Sequence, residues 1–171
     1  MHNSVDELMA KIAQGLKAKQ DQELAAYAAA HGGSAEGRTY TAEDYPFLQK
    51  HPEMVKTPTG KPAASITMES VREGQIEGSD LRITREMLLN QAQVAESVGK
   101  TQMAQNLRRA AELTGVPDDQ VIHMYDMLRP NRATKEQLEE MANTLENTYN
   151  AALCAKLVRE ASAIYEKRGI L

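Results

Sequence analysis

Thr134-Lys135-Glu136-Gln137-Leu138-Glu139-Glu140-Met141 opens the stretch whose reading decides the fold class. Thr134, with Gln137 three residues on, forms a capping box, in which each side chain reaches a backbone N–H that the first helical turn leaves unsatisfied. Beyond it Leu138, Met141, Leu145, Tyr149, Ala152, Leu153, Leu157, Ala161 and Ile164 recur at helical spacing, with no Gly or Pro before Gly169. The pattern predicts one helix running to Arg168, roughly 50 Å long at 1.5 Å per residue. A small bundle cannot cover a helix of that length, so part of its apolar edge is expected to meet another chain.

Working outward from that helix, the sequence from Thr67 onward carries the same period. Met68, Val71 and Arg72 form a short turn that Gly74 closes. Thr84 caps a helix carrying Met87, Leu88, Gln91, Ala92, Val94, Ala95 and Val98, ended by Gly99, and Met103, Ala104, Leu107, Ala110 and Ala111 make the next. Gly115-Val116-Pro117 stops it. Pro117 suits a first turn, Asp118 and Asp119 complement the positive helix end, and Val121, Ile122, Tyr125 and Leu128 make an inner face before Arg129-Pro130. Nothing reads as a strand, so the fold class is all-α, with a long C-terminal helix and an extended proline-rich segment ahead of it. That segment, residues 38–65, holds Pro46, Pro52, Pro58 and Pro62, each biasing its predecessor toward extended geometry. It is expected to lie along another surface without bonding to itself. Further upstream, Ser4 precedes an amphipathic stripe of Val5, Leu8, Met9, Ile12 and Leu16, and a Gly-rich linker follows at 31–37. The chain thus divides into an extension, residues 1–37, and a body, residues 38–171.

Composition points the same way. Of 171 residues 24 are Ala, whereas Leu, Ile, Val and Phe together number 31, which is thin filling for a core. A net charge of only −4 argues against disorder, so a folded chain that borrows burial from a partner fits best. No apolar run is long enough to span a membrane and no secretory h-region is present, so neither a membrane nor the secretory route is expected and the protein is placed in the cytoplasm. Cys154, the one cysteine, sits between leucines on a helix and reads as a small hydrophobe. No basic block extends beyond Arg108-Arg109, so nucleic acid is not expected as a partner.

Reactive constellations are missing from the sequence. His2, His31, His51 and His123 are scattered without a second ligand at helical spacing, and no serine stands in a nucleophile elbow. Thr59-Gly60-Lys61 resembles the end of a phosphate loop, but it lacks the earlier Gly, carries Pro62 where a hydroxyl belongs and follows no strand. Asp118-Asp119 and Glu139-Glu140 read as dipole partners and solvated surface. Residues 100–129 have a helix-turn-helix layout, yet the second helix would bring Asp118 and Asp119 toward phosphates.

Five blocks carry a family resemblance: Tyr45-Pro46 with Lys50-His51-Pro52-Glu53 and Val55-Lys56-Thr57-Pro58-Thr59-Gly60-Lys61-Pro62; Asp80-Leu81-Arg82-Ile83-Thr84; Arg109 to Asp119; Leu128-Arg129-Pro130 with Ala133 to Leu138; and Val158-Arg159-Glu160-Ala161 with Ile164-Tyr165. In order and over residues 45–166, they resemble the small (gamma) subunit of coenzyme-B12-dependent diol and glycerol dehydratases. The resemblance implies a lyase that converts a 1,2-diol to an aldehyde and water with adenosylcobalamin, in an assembly of two copies each of large, medium and small subunits. It implies that this chain supplies no catalytic, cofactor-binding or metal-binding residue and instead stabilises the large subunit. Tyr45, Pro46, His51, Pro52, Lys61, Arg109, Arg129 and Tyr149 are the expected contact residues. The N-terminal stripe resembles the encapsulation helices of microcompartment cargo, which implies a bacterial microcompartment as location and its shell proteins as further partners. A stand-alone helical adaptor is the competing class, and propane-1,2-diol and glycerol stay undistinguished.

Overall fold

The computed structural model describes residues 38–171, together with Lys11, Gln14 and Gly15. The stripe Val5, Leu8, Met9, Ile12 and Leu16 and the linker at 31–37 lie outside the described residues. The chain divides into two units after Thr39, and the second, Tyr40–Leu171, is all-α. Its helices are α1 Phe47–Lys50, α2 Met68–Arg72, α3 Arg85–Ser97, α4 Thr101–Leu113, α5 Asp118–Met127, α6 Lys135–Asn147 and α7 Ala152–Arg168. Short 3-10 turns at Ala42–Asp44, Pro52–Met54, Ala63–Ser65 and Gly78–Leu81 shape the proline-rich segment and its exit.

Local signals place most boundaries. Thr67 and Ser70 cap α2 reciprocally, and Gly74 follows it at φ +72°. The Thr84 hydroxyl accepts from the Met87 N–H at 3.2 Å to start α3. Gly99, at φ +73°, turns the chain into α4, a conformation that costs glycine little. Among the buried residues of the α3–α4 hairpin, Ala92, Ala95 and Ala104 form one cluster with Leu107 against it, so small side chains meet between the two helices. Arg108 is buried at the same hairpin and donates to Glu96 at 2.5 Å.

The single 50 Å helix is corrected to a hairpin. Thr134 and Gln137 do form the capping box, with bonds of 2.8 and 3.3 Å, but α6 ends at Asn147. Asn150 takes φ +52° and the Ala151 N–H bonds back to the Leu145 carbonyl at 2.8 Å, reversing the chain. Asparagine tolerates the left-handed region, so neither Gly nor Pro is needed for this break. The two helices, about 20 and 25 Å long at 1.5 Å per residue, run antiparallel. Arg159 of α7 reaches Glu139, Asn143 and Glu146 of α6 at 2.8–3.0 Å, and Lys135 reaches Glu166 at 2.8 Å. The overhang that was to meet another chain does not exist. The reversal also shifts the buried face of α7 to Cys154, Ala155, Val158 and Ser162, leaving Leu157 and Ile164 exposed.

No local side chain caps α7, whose N-cap is Ala151. Glu112 of α4, itself buried, reaches across and accepts from the Leu153 and Cys154 N–H groups at 3.0 and 2.8 Å. The carboxylate complements the positive end of the helix and ties the two hairpins together. Burial, and secondarily the Glu112 charge, push the Cys154 thiol well above its ordinary range.

The inner face of α5 also needs correction. Met124 is buried, with Val121, Met127 and Leu128 against the core of α6 and α7, whereas Ile122 is 70% and Tyr125 76% exposed. Only one side of this helix is covered, and 100° per residue carries Ile122 away from it. The proline-rich segment has no long element, as expected, but it does bond to itself: Thr57 N–H to the Lys61 carbonyl and Ala63 N–H to the Val55 carbonyl, both at 2.8 Å. It closes over α3 through Tyr40 and Phe47, edge to face at 5.3 Å and packed with Met87.

The Asn150 reversal predicts a contrast between two variants. Both Asn150→Ala and Asn150→Gly remove the side chain, but Asn150→Ala should be the less stable by about 1 kcal/mol because only it strains the left-handed backbone, as read from urea melts followed by circular dichroism.

Candidate functional site

The 3-10 turn Gly78–Leu81 sets Asp80 pointing inward, 2% exposed. Its carboxylate accepts from Lys61 Nζ at 2.7 Å, from the Glu77 N–H at 2.9 Å and, through a short bond, from the Thr59 hydroxyl. Lys61 Nζ donates a second bond to the Gln75 carbonyl at 2.7 Å. The buried Thr57 hydroxyl bonds Thr59 Oγ1 at 3.0 Å and accepts from the Lys61 N–H at 3.1 Å. Two sequence blocks nineteen residues apart, Thr57–Lys61 and Asp80–Thr84, are therefore one clamped unit. The Lys61 ammonium, then Thr59 and the Glu77 N–H, hold the Asp80 carboxyl far below its ordinary 3.8.

With Asp80 turned in, its neighbours turn out: Leu81 is 63% and Ile83 46% exposed. Ile83 and Pro58 line one side of a groove of about 1140 Å³ that Val121 and Ile122 of α5 also line, together with Leu88, Leu113 and Val116. Arg82 and Asp118, both exposed, form an ion pair at 2.5 Å between the same two elements. A second groove of about 380 Å³, lined by Tyr45, Pro46, Leu48 and Leu81, shares Arg82, Ile83 and Thr84 with the first, so the two are neighbours.

The expected contact residues are not gathered on this surface. Tyr45 and Pro46 line the second groove. His51 Nε2 bonds Asp44 Oδ1 at 2.9 Å and neighbours the Phe47 ring, with Pro52 exposed beside it. Lys61 belongs to the clamp, Arg109 bonds Asn106 within α4, Arg129 pairs with Asp126 at 3.1 Å, and Tyr149 packs on the α5–α7 core. Sequence reading missed Asp80, Glu112, Arg108 and the fully buried Asn90, and it placed Ile122 inside.

Among the described residues no group of three or more His, Cys, Asp or Glu side chains is placed to hold a metal ion, and no helix is long and apolar enough to cross a membrane. His123 of α5 lines a separate groove of about 350 Å³ with Gln137 and Glu140 of α6. The α4–α5 pair has a helix-turn-helix order, but α5 opens on Asp118 and Asp119, both exposed, with Asp118 held by Arg82.

Residues 40–171, the whole of this helical unit, match the family described as dehydratase small subunit. The chain belongs to that family. It is similar to a propanediol dehydratase small subunit of Citrobacter freundii, 46% identical over 135 residues, which cover 79% of this chain and 78% of the relative. It is also similar to one of Salmonella typhimurium, 41% identical over 166 residues, which cover 97% of this chain and 94% of the relative. The second alignment is longer than the family match and so takes in sequence ahead of Tyr40. In this dehydratase small subunit the Lys61–Asp80 clamp lies inside the family body, and so does the groove it frames.

The clamp makes a pH prediction. A carboxylate held low in the folded state and ordinary in the unfolded chain stabilises fully above about pH 4 to 5 and loses that contribution as pH falls toward the folded value. The difference in urea midpoint between the parent and Asp80→Asn should therefore be largest at neutral pH and shrink steadily from pH 5 to pH 2; a difference independent of pH would show that the ion pair contributes nothing.

Proposed function

We propose that this chain is the non-catalytic small subunit of an adenosylcobalamin-dependent diol dehydratase, acting on propane-1,2-diol or glycerol to give an aldehyde and water, and that it works by bracing the large catalytic subunit. The observation that carries the reading is the combination within residues 40–171 of a dehydratase small-subunit match and a surface holding Leu81, Ile83 and Ile122 outward. The cofactor is assigned in this reading to the large and medium subunits, in an assembly of two copies of each of three chains. Bracing has a physical basis. A partner that binds only the folded large subunit stabilises it by mass action, and radical chemistry needs a site kept closed to water and side reactions.

Co-expression of the three subunits tests this. Omitting this chain should lower diol-dependent aldehyde formation at least about tenfold, the effect of roughly 1.4 kcal/mol, and should lower the melting temperature of the large subunit. Undiminished activity and stability without it, or diol turnover by this chain alone, would sink the proposal.

The extension carries the second part of the proposal, packaging of the enzyme inside a bacterial microcompartment in the cytoplasm. The amphipathic spacing of Val5, Leu8, Met9, Ile12 and Leu16, set off by the Gly32-Gly33 linker, supports it. Deleting residues 1–36 should leave dehydratase activity intact while reducing co-purification with shell proteins, and equal recovery with shell from both forms would refute it.

A further inference from the structure

We infer that the helical unit is hinged at Thr114–Pro117 and that Glu112 is the latch of the hinge, holding the groove of about 1140 Å³ at its present width. The hinge belongs to this chain whether or not a partner is bound.

On either side of that connection lies a half with its own interior. Residues 40–113 hold the cluster of Tyr40, Phe47 and Met87 and the alanine cluster of α3 and α4, whereas residues 116–171 hold the cluster around Val116, Met124 and the α6–α7 hairpin. Leu113, which packs against the second cluster from the first half, is the last residue of α4 and adjoins the hinge. The clusters do not run through the seam, so parting the halves uncovers less apolar surface than dividing either one, and openings of low cost follow such seams. Polar bonds cross it: the Leu153 and Cys154 N–H groups donate to Glu112 at 3.0 and 2.8 Å, the Cys154 thiol donates to the Arg109 carbonyl at 3.5 Å, and Arg82 pairs with Asp118 at the surface.

The groove lies between the same two halves. Ile83 and Leu88 line it from the first, Val121 and Ile122 from the second, and Ala110 and Thr114 where they join. At 100° per residue Glu112 stands about 200° from both Ala110 and Thr114, so latch and groove occupy opposite sides of one turn of α4. Releasing the start of α7 on one side therefore frees the walls to move on the other, with the angular change absorbed by a few residues at the end of a helix. Gly115 supplies the play. Its φ is not in the left-handed region, and a Cβ there would meet nothing closer than the Glu112 carbonyl at 3.7 Å, an ordinary contact. The observed conformation thus does not require a glycine, whereas a glycine widens the range of backbone angles open to the connection.

The test uses the full chain with spin labels at Glu86→Cys and Asp119→Cys, exposed positions on the two helices that wall the groove, and with Cys154→Ala throughout. Double electron–electron resonance should give a near distance and, as a minor population, a far one. Glu112→Gln should raise the far population about fivefold or more, as loss of a remote cap allows. Arg82→Glu, at an exposed site outside either core, should raise it about twofold, and adding Gly115→Ala to that variant should lower it again about twofold. Amide exchange within Ala104–Arg109 and Ala155–Ser162 should keep the parent's rates throughout, because the halves part without unfolding. Should Glu112→Gln fail to fold, the Arg82→Glu and Gly115→Ala pair decides by the same signs. A single distance that none of these variants changes, or a far population that grows only together with faster exchange in both hairpins, would overturn the hinge.

Discussion

The Glu112 carboxylate meets α7 where the helix would otherwise begin with unsatisfied N–H groups, and it comes from α4, some forty residues earlier in the chain. A capping bond of this kind contributes on the order of 1 to 2 kcal/mol, and the negative charge also faces the positive end of the helix. Because the cap is remote, the start of α7 depends on α4 being in place, so the α3–α4 hairpin and the α6–α7 hairpin become one folding unit. Burial, and after it the same carboxylate, push the thiol of the chain's one cysteine well above its ordinary range.

Ties of this sort matter more here than in a protein with a large apolar interior. The described core is split into three small clusters, one around Val116, Met124 and α6–α7, one around Tyr40, Phe47 and Met87, and one of alanines between α3 and α4. Buried polar groups bridge the gaps: Glu112 between hairpins, Arg108 to Glu96 within one, and Asp80 to Lys61 beneath the proline-rich loop. Large aliphatic side chains released from interior duty then stand outside on a rigid frame, and that is the material from which an interface is made.

Which parts of this were legible depended on how far each cause lay along the chain. Thr84, Thr134 with Gln137, and the glycines at 74 and 99 act within a few residues of themselves, so the helix starts and stops they govern were readable. The reversal at 148–151 was not, because the apolar period runs through it unbroken and an asparagine in the left-handed region leaves no strong mark. Ile122 and Met124 are equally apolar, and nothing local says which of them α5 turns inward. Lys61 and Asp80 both stood in blocks that carried the family resemblance, yet that they touch, like the reach of Glu112 to Cys154, is knowledge only the folded chain supplies.

Tyr40 is both the first residue of the family match and one of the least exposed side chains, its N–H donating to Gln93 Oε1 at 2.9 Å and its hydroxyl to Met54 Sδ at 3.2 Å. The first residue of the family body is thus already part of its interior, and a boundary drawn one step later would take an aromatic keystone away from Phe47 and Met87.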